Sequence, residues 1–188
     1  TPSASAYISA DSIVGTRCGF FDGTAAFAAL SGGFSLANDF TVSLWFNTVS
    51  TNRQALISTD GGGSYYTIDF DMGVVSFRIN DGTGEQVVTA NRTGLNDGLW
   101  HNVAGVRFGS QIHIYVDGDR IGTANMNPLY GGVGNGSPFV GKRGTSAMSD
   151  FFNGFVDEVA IWSRALTEAE IGQNAGAAYQ TKGTTEYV

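Results

Sequence analysis

Asp97-Gly-Leu-Trp-His-Asn-Val-Ala-Gly-Val-Arg-Phe-Gly-Ser-Gln-Ile-His-Ile-Tyr-Val-Asp-Gly118 contains two alternating runs, an Asp-Gly dipeptide at each end and a Gly-Ser break between them. Side chains alternate across a strand, so the first run sends His101, Val103 and Gly105 to one face and Asn102, Ala104 and Val106 to the other. The second run is sharper: Ile112, Ile114 and Val116 share one face, and His113, Tyr115 and Asp117 share the other. The segment reads as a hairpin in the middle of a sheet, with one core face and one wetter face.

The same pattern recurs upstream. From Phe40 to Thr48, the residues Phe40, Val42, Leu44 and Phe46 alternate with Thr41, Ser43, Trp45 and Asn47. From Ser64 to Phe70, Tyr66, Ile68 and Phe70 point inward while Tyr65, Thr67 and Asp69 point outward. From Val74 to Ile79, Val75, Phe77 and Ile79 are inward while Ser76 and Arg78 are outward. Trp45, Tyr65, Asp69, Arg78, His113 and Tyr115 are therefore expected on the face away from the core. A ring such as Trp45 among small polar neighbours is either capped by loops or offered to a ligand. The surface as a whole is either a ligand face or a solvated sheet with ordinary cross-strand pairs.

Composition agrees with an all-β chain: 27 glycines, 13 phenylalanines, and short apolar runs punctuated by Gly, Asn, Asp and Ser. At 188 residues, positions 1–188 are expected to form one domain that buries its core without staples. Residues 1–6 and 181–188 read as linker ends of a module carried in a longer secreted chain. The net charge of −7, with ten scattered Lys and Arg, argues against nucleic acid or an anionic membrane as partner. The single Cys18, expected to be buried beside Phe20, cannot form an internal disulfide. No apolar run reaches spanning length.

Three motifs carry a family resemblance. Asp-Gly-x-Trp-His-x-Val with x-Ile-Tyr-Val-Asp-Gly resembles the central signature of the laminin G-like, concanavalin A-like jelly-roll superfamily. Residues 152–167, Phe-x-Gly-x-Val-Asp-Glu-Val-x-Ile-Trp-x-Arg-Ala-Leu-Thr, resemble its closing strand, and Phe21-Asp22-Gly23 its opening one. The resemblance implies a two-sheet antiparallel β-sandwich, on whose concave sheet the six outward residues would lie close together. It also implies a structural Ca²⁺ between the opening and closing strands, held by Asp22 and Asp157 with backbone carbonyls. The alternative is that Asp22 caps a turn and Asp157 accepts backbone bonds. Thr167 and Glu170 form a capping box, which predicts one short helix ending before Gly176.

Catalysis finds little support. Glycosidases of this fold carry Glu-x-Asp-x-x-Glu on one strand, which is lacking here, and the adjacent Asp157 and Glu158 fall on opposite faces. His113, Tyr115 and Arg78 make only a faint lyase-like set, and His101 reads as a buried, hydrogen-bonded histidine. The glycine-rich stretches at 61–63 and 131–136 lack the ending of a phosphate loop. The expected function is non-catalytic carbohydrate binding that targets a larger secreted protein, such as a polysaccharide-degrading enzyme, to its glycan. In this reading Trp45, Tyr65 and Tyr115 offer ring faces to sugars, while Asp69, Arg78 and His113 bond hydroxyls. The other readings are an extracellular adhesion or protein-interaction module using the 125–148 loops, and last a lyase or hydrolase.

Overall fold

The computed structural model describes residues 7–9, 12–31, 38–59, 63–126, 136–144 and 150–183. The expected ends at 1–6 and 184–188, and most of the 125–148 loops, lie outside these residues. In chain order the strands are β1 (Tyr7–Ser9), β2 (Cys18–Asp22), β3 (Ala28–Ala29), β4 (Phe40–Asn47), β5 (Gln54–Thr59), β6 (Ser64–Asp71) and β7 (Val74–Asp81). There follow β8 (Glu85–Thr89), β9 (His101–Phe108), β10 (Gln111–Val116), β11 (Asp119–Asn125), β12 (Pro138–Val140), β13 (Asn153–Trp162) and the helix α1 (Glu168–Gly183). They form a seven-stranded sheet, β1-β2-β13-β4-β9-β10-β11, and a six-stranded sheet, β3-β12-β5-β6-β7-β8. The expected all-β sandwich with a C-terminal helix is the architecture observed.

Alternation builds the core. Phe40, Leu44 and Phe46 of β4, with Val103, Ile112 and Ile114, meet Tyr66, Ile68, Phe70, Val75 and Phe77 from the facing sheet, all fully buried. Edge-on ring contacts knit the two layers, Phe40 to Phe77 at 6.1 Å and Phe46 to Phe70 at 5.9 Å between centroids. Gly105 in mid-strand makes room for one of these rings, since a Cβ there would stand 2.5 Å from Phe77 Cδ2. Antiparallel pairing in register, Val116 to Val103 through Gln111 to Phe108, joins β9 and β10 into a hairpin inside the sheet, between the central β4 and the edge strand β11. Asp117 (φ 52°) and Gly118 (φ 89°) then turn the chain into β11 with positive φ at both central positions, as a type I′ turn requires.

The two Asp-Gly dipeptides and the histidine of residues 97–118 resolve into one contact set. His101 Nδ1 lies 3.0 Å from Asp117 Oδ2, and its Nε2 lies 3.2 Å from Asp97 Oδ1. Asp117 Oδ1 accepts the Asn102 N–H at 2.9 Å, and Arg92 reaches Asp117 Oδ2 at 2.9 Å. Burial alone would lower the ring's proton affinity, but the two carboxylates more than offset it and raise His101 above its ordinary 6.5. Burial likewise pushes both carboxyls up; for Asp117, His101 and the Asn102 N–H reverse this, and for Asp97, the Leu99 N–H and His101 do, leaving both below 3.8.

Two elements differ from expectation. The helix passes Gly176 and continues to Gly183, so 181–183 belong to it rather than to a linker. Its capping box is present: Glu170 N–H donates to Thr167 Oγ1 at 3.3 Å, and Thr167 N–H to Glu170 Oε2 at 2.8 Å. The helix and its lead-in cover the outer face of the seven-stranded sheet, where Leu166 and Ile171 pack on Ala104, Val106 and Tyr115.

Gly105→Ala is expected to destabilise the fold by about 1–3 kcal/mol through overpacking against Phe77, as read by chemical denaturation. The His101 contacts set a pH profile. A ring whose folded pKa exceeds its unfolded 6.5 contributes fully below pH 6.5 and loses that contribution as pH rises through the folded value. Asp97 and Asp117, depressed below 3.8, contribute above that value and lose it as pH falls through their folded values. Melting temperature should therefore be highest between those limits, and His101→Gln should flatten the decline on the alkaline side.

Candidate functional site

The structure divides the six outward residues between opposite outer sides of the sandwich. Tyr65, Asp69 and Arg78 stand on β6 and β7 of the six-stranded sheet, whereas Trp45, His113 and Tyr115 stand on β4 and β10 of the other. The chain crosses between sheets after β4 and again before β9, so strands that read as consecutive are not neighbours. Trp45 is 2% exposed and packs with Ile13, Cys18, Trp100 and Ala175, which removes it as a sugar platform. Tyr115 is 3% exposed beneath Leu166 and Ile171, so its ring face is equally closed. His113 is buried, with Nδ1 2.9 Å from Thr123 Oγ1.

The other three residues do converge. The pairing of β6 with β7 sets Thr67 opposite Arg78 and Asp69 opposite Ser76, which brings Arg78 diagonally onto Asp69. Arg78 Nε lies 2.7 Å from Asp69 Oδ2, and its Nη1 donates to Glu85 Oε2 at 2.9 Å. Thr67 Oγ1 donates to Asp69 Oδ1 at 2.9 Å, and the Tyr65 hydroxyl donates to Glu85 Oε1 at 2.5 Å. Arg143 stands 3.5 Å from Asp69 Oδ2 and 5.7 Å over the Tyr65 ring, and Arg53 reaches Asp69 at 3.8 Å. Both also face Asp150, at 3.8 Å and 3.7 Å. The Asp69 side chain is only 4% exposed, and a carboxylate so buried is tolerated because cations and a hydroxyl surround it. The contact between Arg78 Nε and Asp69 Oδ2 is close but not aligned as a hydrogen bond, so it is chiefly Coulombic, between two buried atoms.

Beside this cluster is a depression of about 210 Å³ walled by Arg53, Asp69, Ser76, Arg78 and Thr89. It is smaller than the roughly 300–1,000 Å³ of an enclosed small-molecule site and suits a shallow subsite. Arg53, Arg78 and Arg143 are balanced by Asp69, Glu85 and Asp150, so the rim holds fixed donors and acceptors with little net charge. Burial pushes the Glu85 carboxyl up, but Tyr65 and Arg78 hold it below its ordinary value, so it is no reservoir of an acidic proton. Burial and Glu85 together raise the Tyr65 phenol, which keeps it protonated and donating. The sequence reading missed Arg53, Glu85, Arg143 and Asp150. Glu85 sits in a short, half-exposed strand, and the other three lie outside the strands.

The expected calcium ligands do not fit a shared ion. Asp22 Oδ1 accepts the N–H groups of Thr24, Ala25 and Ala26 at 2.9, 2.9 and 3.0 Å, which hold its carboxyl far below the usual range. Asp157 Oδ2 accepts Ile13 and Val14 N–H at 3.0 and 3.3 Å. Asp22 pairs with Asn153, four positions along β13 from Asp157, a separation of about 13 Å at the usual strand rise. Among the described residues no three His, Cys, Asp or Glu side chains group as metal ligands.

Residues 21–172 match the family described as the Concanavalin A-like lectin/glucanases superfamily. The chain belongs to that superfamily. Neurexin 1 of Drosophila melanogaster is 34% identical over 110 residues, which is 50% of this chain and 6% of that protein. The concanavalin A-like fold superposes on domains LG4-5 of mouse laminin α1 with a TM-score of 0.65 and 25% identity, covering 79% of this chain and 43% of the other. It superposes equally on the CBM40 of Ruminococcus gnavus IT-sialidase, with a TM-score of 0.65 and 14% identity over 79% of this chain and 96% of that one. This last likeness is one of fold alone. The chain spans only a small part of the full-length relatives it matches. Among the described residues no helix is long and apolar enough to cross a membrane.

Removing the side chain that ties the Asp22 loop should matter more than removing calcium. Asp22→Ala is expected to cost about 1–2 kcal/mol in denaturant titrations, the range for losing a capping carboxylate. Excess calcium and excess chelator should give the same melting temperature.

Proposed function

We propose that this chain is a non-catalytic glycan-binding module whose ligand lies on the outer face of the six-stranded sheet, over Tyr65, Asp69 and Arg78 and against Arg53 and Arg143. The observation that carries this reading is Asp69, 4% exposed, held among guanidinium groups beside an open depression that Arg53 and Arg78 also line. A sugar offers closely spaced hydroxyls that both donate and accept, which matches a rim with near-zero net charge better than an anion or a cation does. The Tyr65 edge and the stems of Arg53 and Arg143 supply the apolar contact that a sugar's C–H face needs. The site is shallow and hydrated, so affinity for one sugar unit is weak and avidity along a polymer provides retention.

Non-catalysis is supported by Glu85, whose contacts with Tyr65 and Arg78 hold its carboxyl below its ordinary value and leave it no acidic proton to give. The CBM40 shows that a fold of this shape serves as a sialidase's carbohydrate-binding module. The module would act outside the cell as part of a longer protein, such as a polysaccharide-degrading enzyme. The kinship with laminin and neurexin regions supports that setting.

A glycan-array screen of the purified chain, followed by affinity gels with the best polysaccharide, tests the proposal. Arg53→Ala and Tyr65→Ala change half-exposed or exposed groups and should leave the melting temperature nearly intact. Each should weaken retention roughly tenfold, the scale of one lost charge-assisted contact. Retention unchanged in both variants would move the site elsewhere, and no retained glycan on the array would end the carbohydrate reading.

A further inference from the structure

His113 and Tyr115, separated from the first site by the thickness of the sandwich, border a cavity of their own. It measures about 210 Å³ and lies on the outer face of the seven-stranded sheet beside the start of α1, walled by Val106, Phe108, His113, Tyr115, Arg120 and Leu166. Register explains the assembly: His113 pairs with Val106 across the hairpin and with Thr123 on β11, while Tyr115 pairs with Arg120 next to the β10 bulge.

Three features of this cavity are unusual for a surface crevice. First, Phe108 at the end of β9 is 59% exposed, a large ring left in water next to a concave space. Second, His113, only 6% exposed, lines the cavity with its Nδ1 set 2.9 Å from Thr123 Oγ1. The other ring nitrogen, Nε2, donates or accepts according to the tautomer. Third, Arg120 at the rim is tied to Glu168 at 3.1 Å by an exposed ion pair that a ligand can open at little cost. Burial and Arg120 both lower the proton affinity of His113, so the ring is neutral near pH 7. With Arg120 and Glu168 cancelling, the cavity favours an uncharged ligand.

We propose that this cavity is a second, independent carbohydrate site that accepts one terminal hexopyranose unit, stacked on Phe108 and hydrogen-bonded by His113 Nε2, the Tyr115 hydroxyl and Arg120. A pyranose joins an apolar C–H face to a ring of hydroxyls, and the cavity pairs one exposed aromatic face with three polar groups at its wall. The module then holds glycan on both outer faces.

The chain has two histidines, so its imidazole NMR signals form a built-in control. Glucose, galactose, mannose, xylose, N-acetylglucosamine and N-acetylgalactosamine are titrated singly into the intact chain up to tens of millimolar. At least one sugar should shift the His113 ring resonances saturably while the clamped His101 stays fixed. Phe108→Ala, which removes an exposed ring without opening the core, should weaken that response roughly fivefold. Arg53→Ala, on the opposite face, should leave it unchanged, so the two sites succeed or fail separately. No saturable His113 shift with any of the six sugars, equal shifts at both histidines, or an unaltered response in the Phe108 variant would overturn the proposal.

Discussion

One imidazole between two carboxylates organises the middle of this molecule. His101 bonds Asp97, at the entry to β9, and Asp117, at the exit from β10, so a single ring fixes where the central hairpin starts and where it turns. Register in a sheet is all or nothing: a slip of one residue would send Val103, Ile112, Ile114 and Val116 to the wrong face. The clamp sets that register locally, and Asp117 adds a bond to the Asn102 backbone that ties the turn back to the strand it left. The β4 strand pairs along the other side of β9 and brings Phe40 and Phe46 to the aromatic core.

Much of this was legible in the residues. The strands β4, β6, β7, β9 and β10 were readable because polar or small residues alternate with large apolar ones along them, although only β7 alternates in burial as well. The strand β5 escaped notice because all of Gln54–Thr59 is buried and a bulge between Ala55 and Ile57 breaks its period. The edge strands β8 and β11 are polar and half exposed, leaving no apolar rhythm to detect. Alternation also says only that a residue leaves the core, not what it meets outside. Trp45 leaves the core and is then covered by Ile13 and by Ala175 of a helix that begins more than a hundred residues later.

The candidate site was half legible for the same reason. Tyr65, Asp69 and Arg78 belong to one hairpin, so their proximity follows from a two-residue turn at Met72-Gly73. Arg53, Arg143 and Asp150 arrive from distant parts of the chain, and only the completed fold brings their charges to Asp69. A buried carboxylate held this way is costly to strip of its close partner Arg78, and far less so of the distant, exposed Arg53. It also gives the six-stranded sheet a polar outer surface where the seven-stranded one is apolar. The two faces of one sandwich thus differ in cover: one is open to solvent, and the other is packed under helix and loop except at the crevice beside Phe108.

That division has a consequence for how the chain comes into being. The apolar outer face bearing Trp45, Val106 and Tyr115 is synthesised before its cover, Leu166 to Ala175. The opening strand β2 likewise finds its partner β13 only after more than a hundred intervening residues have emerged. A nascent chain arrested before α1 therefore carries a bare aromatic face, and one arrested before β13 an unpaired sheet edge as well, the features that recruit chaperones and seed aggregation. The last helix acts as the stopper of the fold, and maturation waits on it.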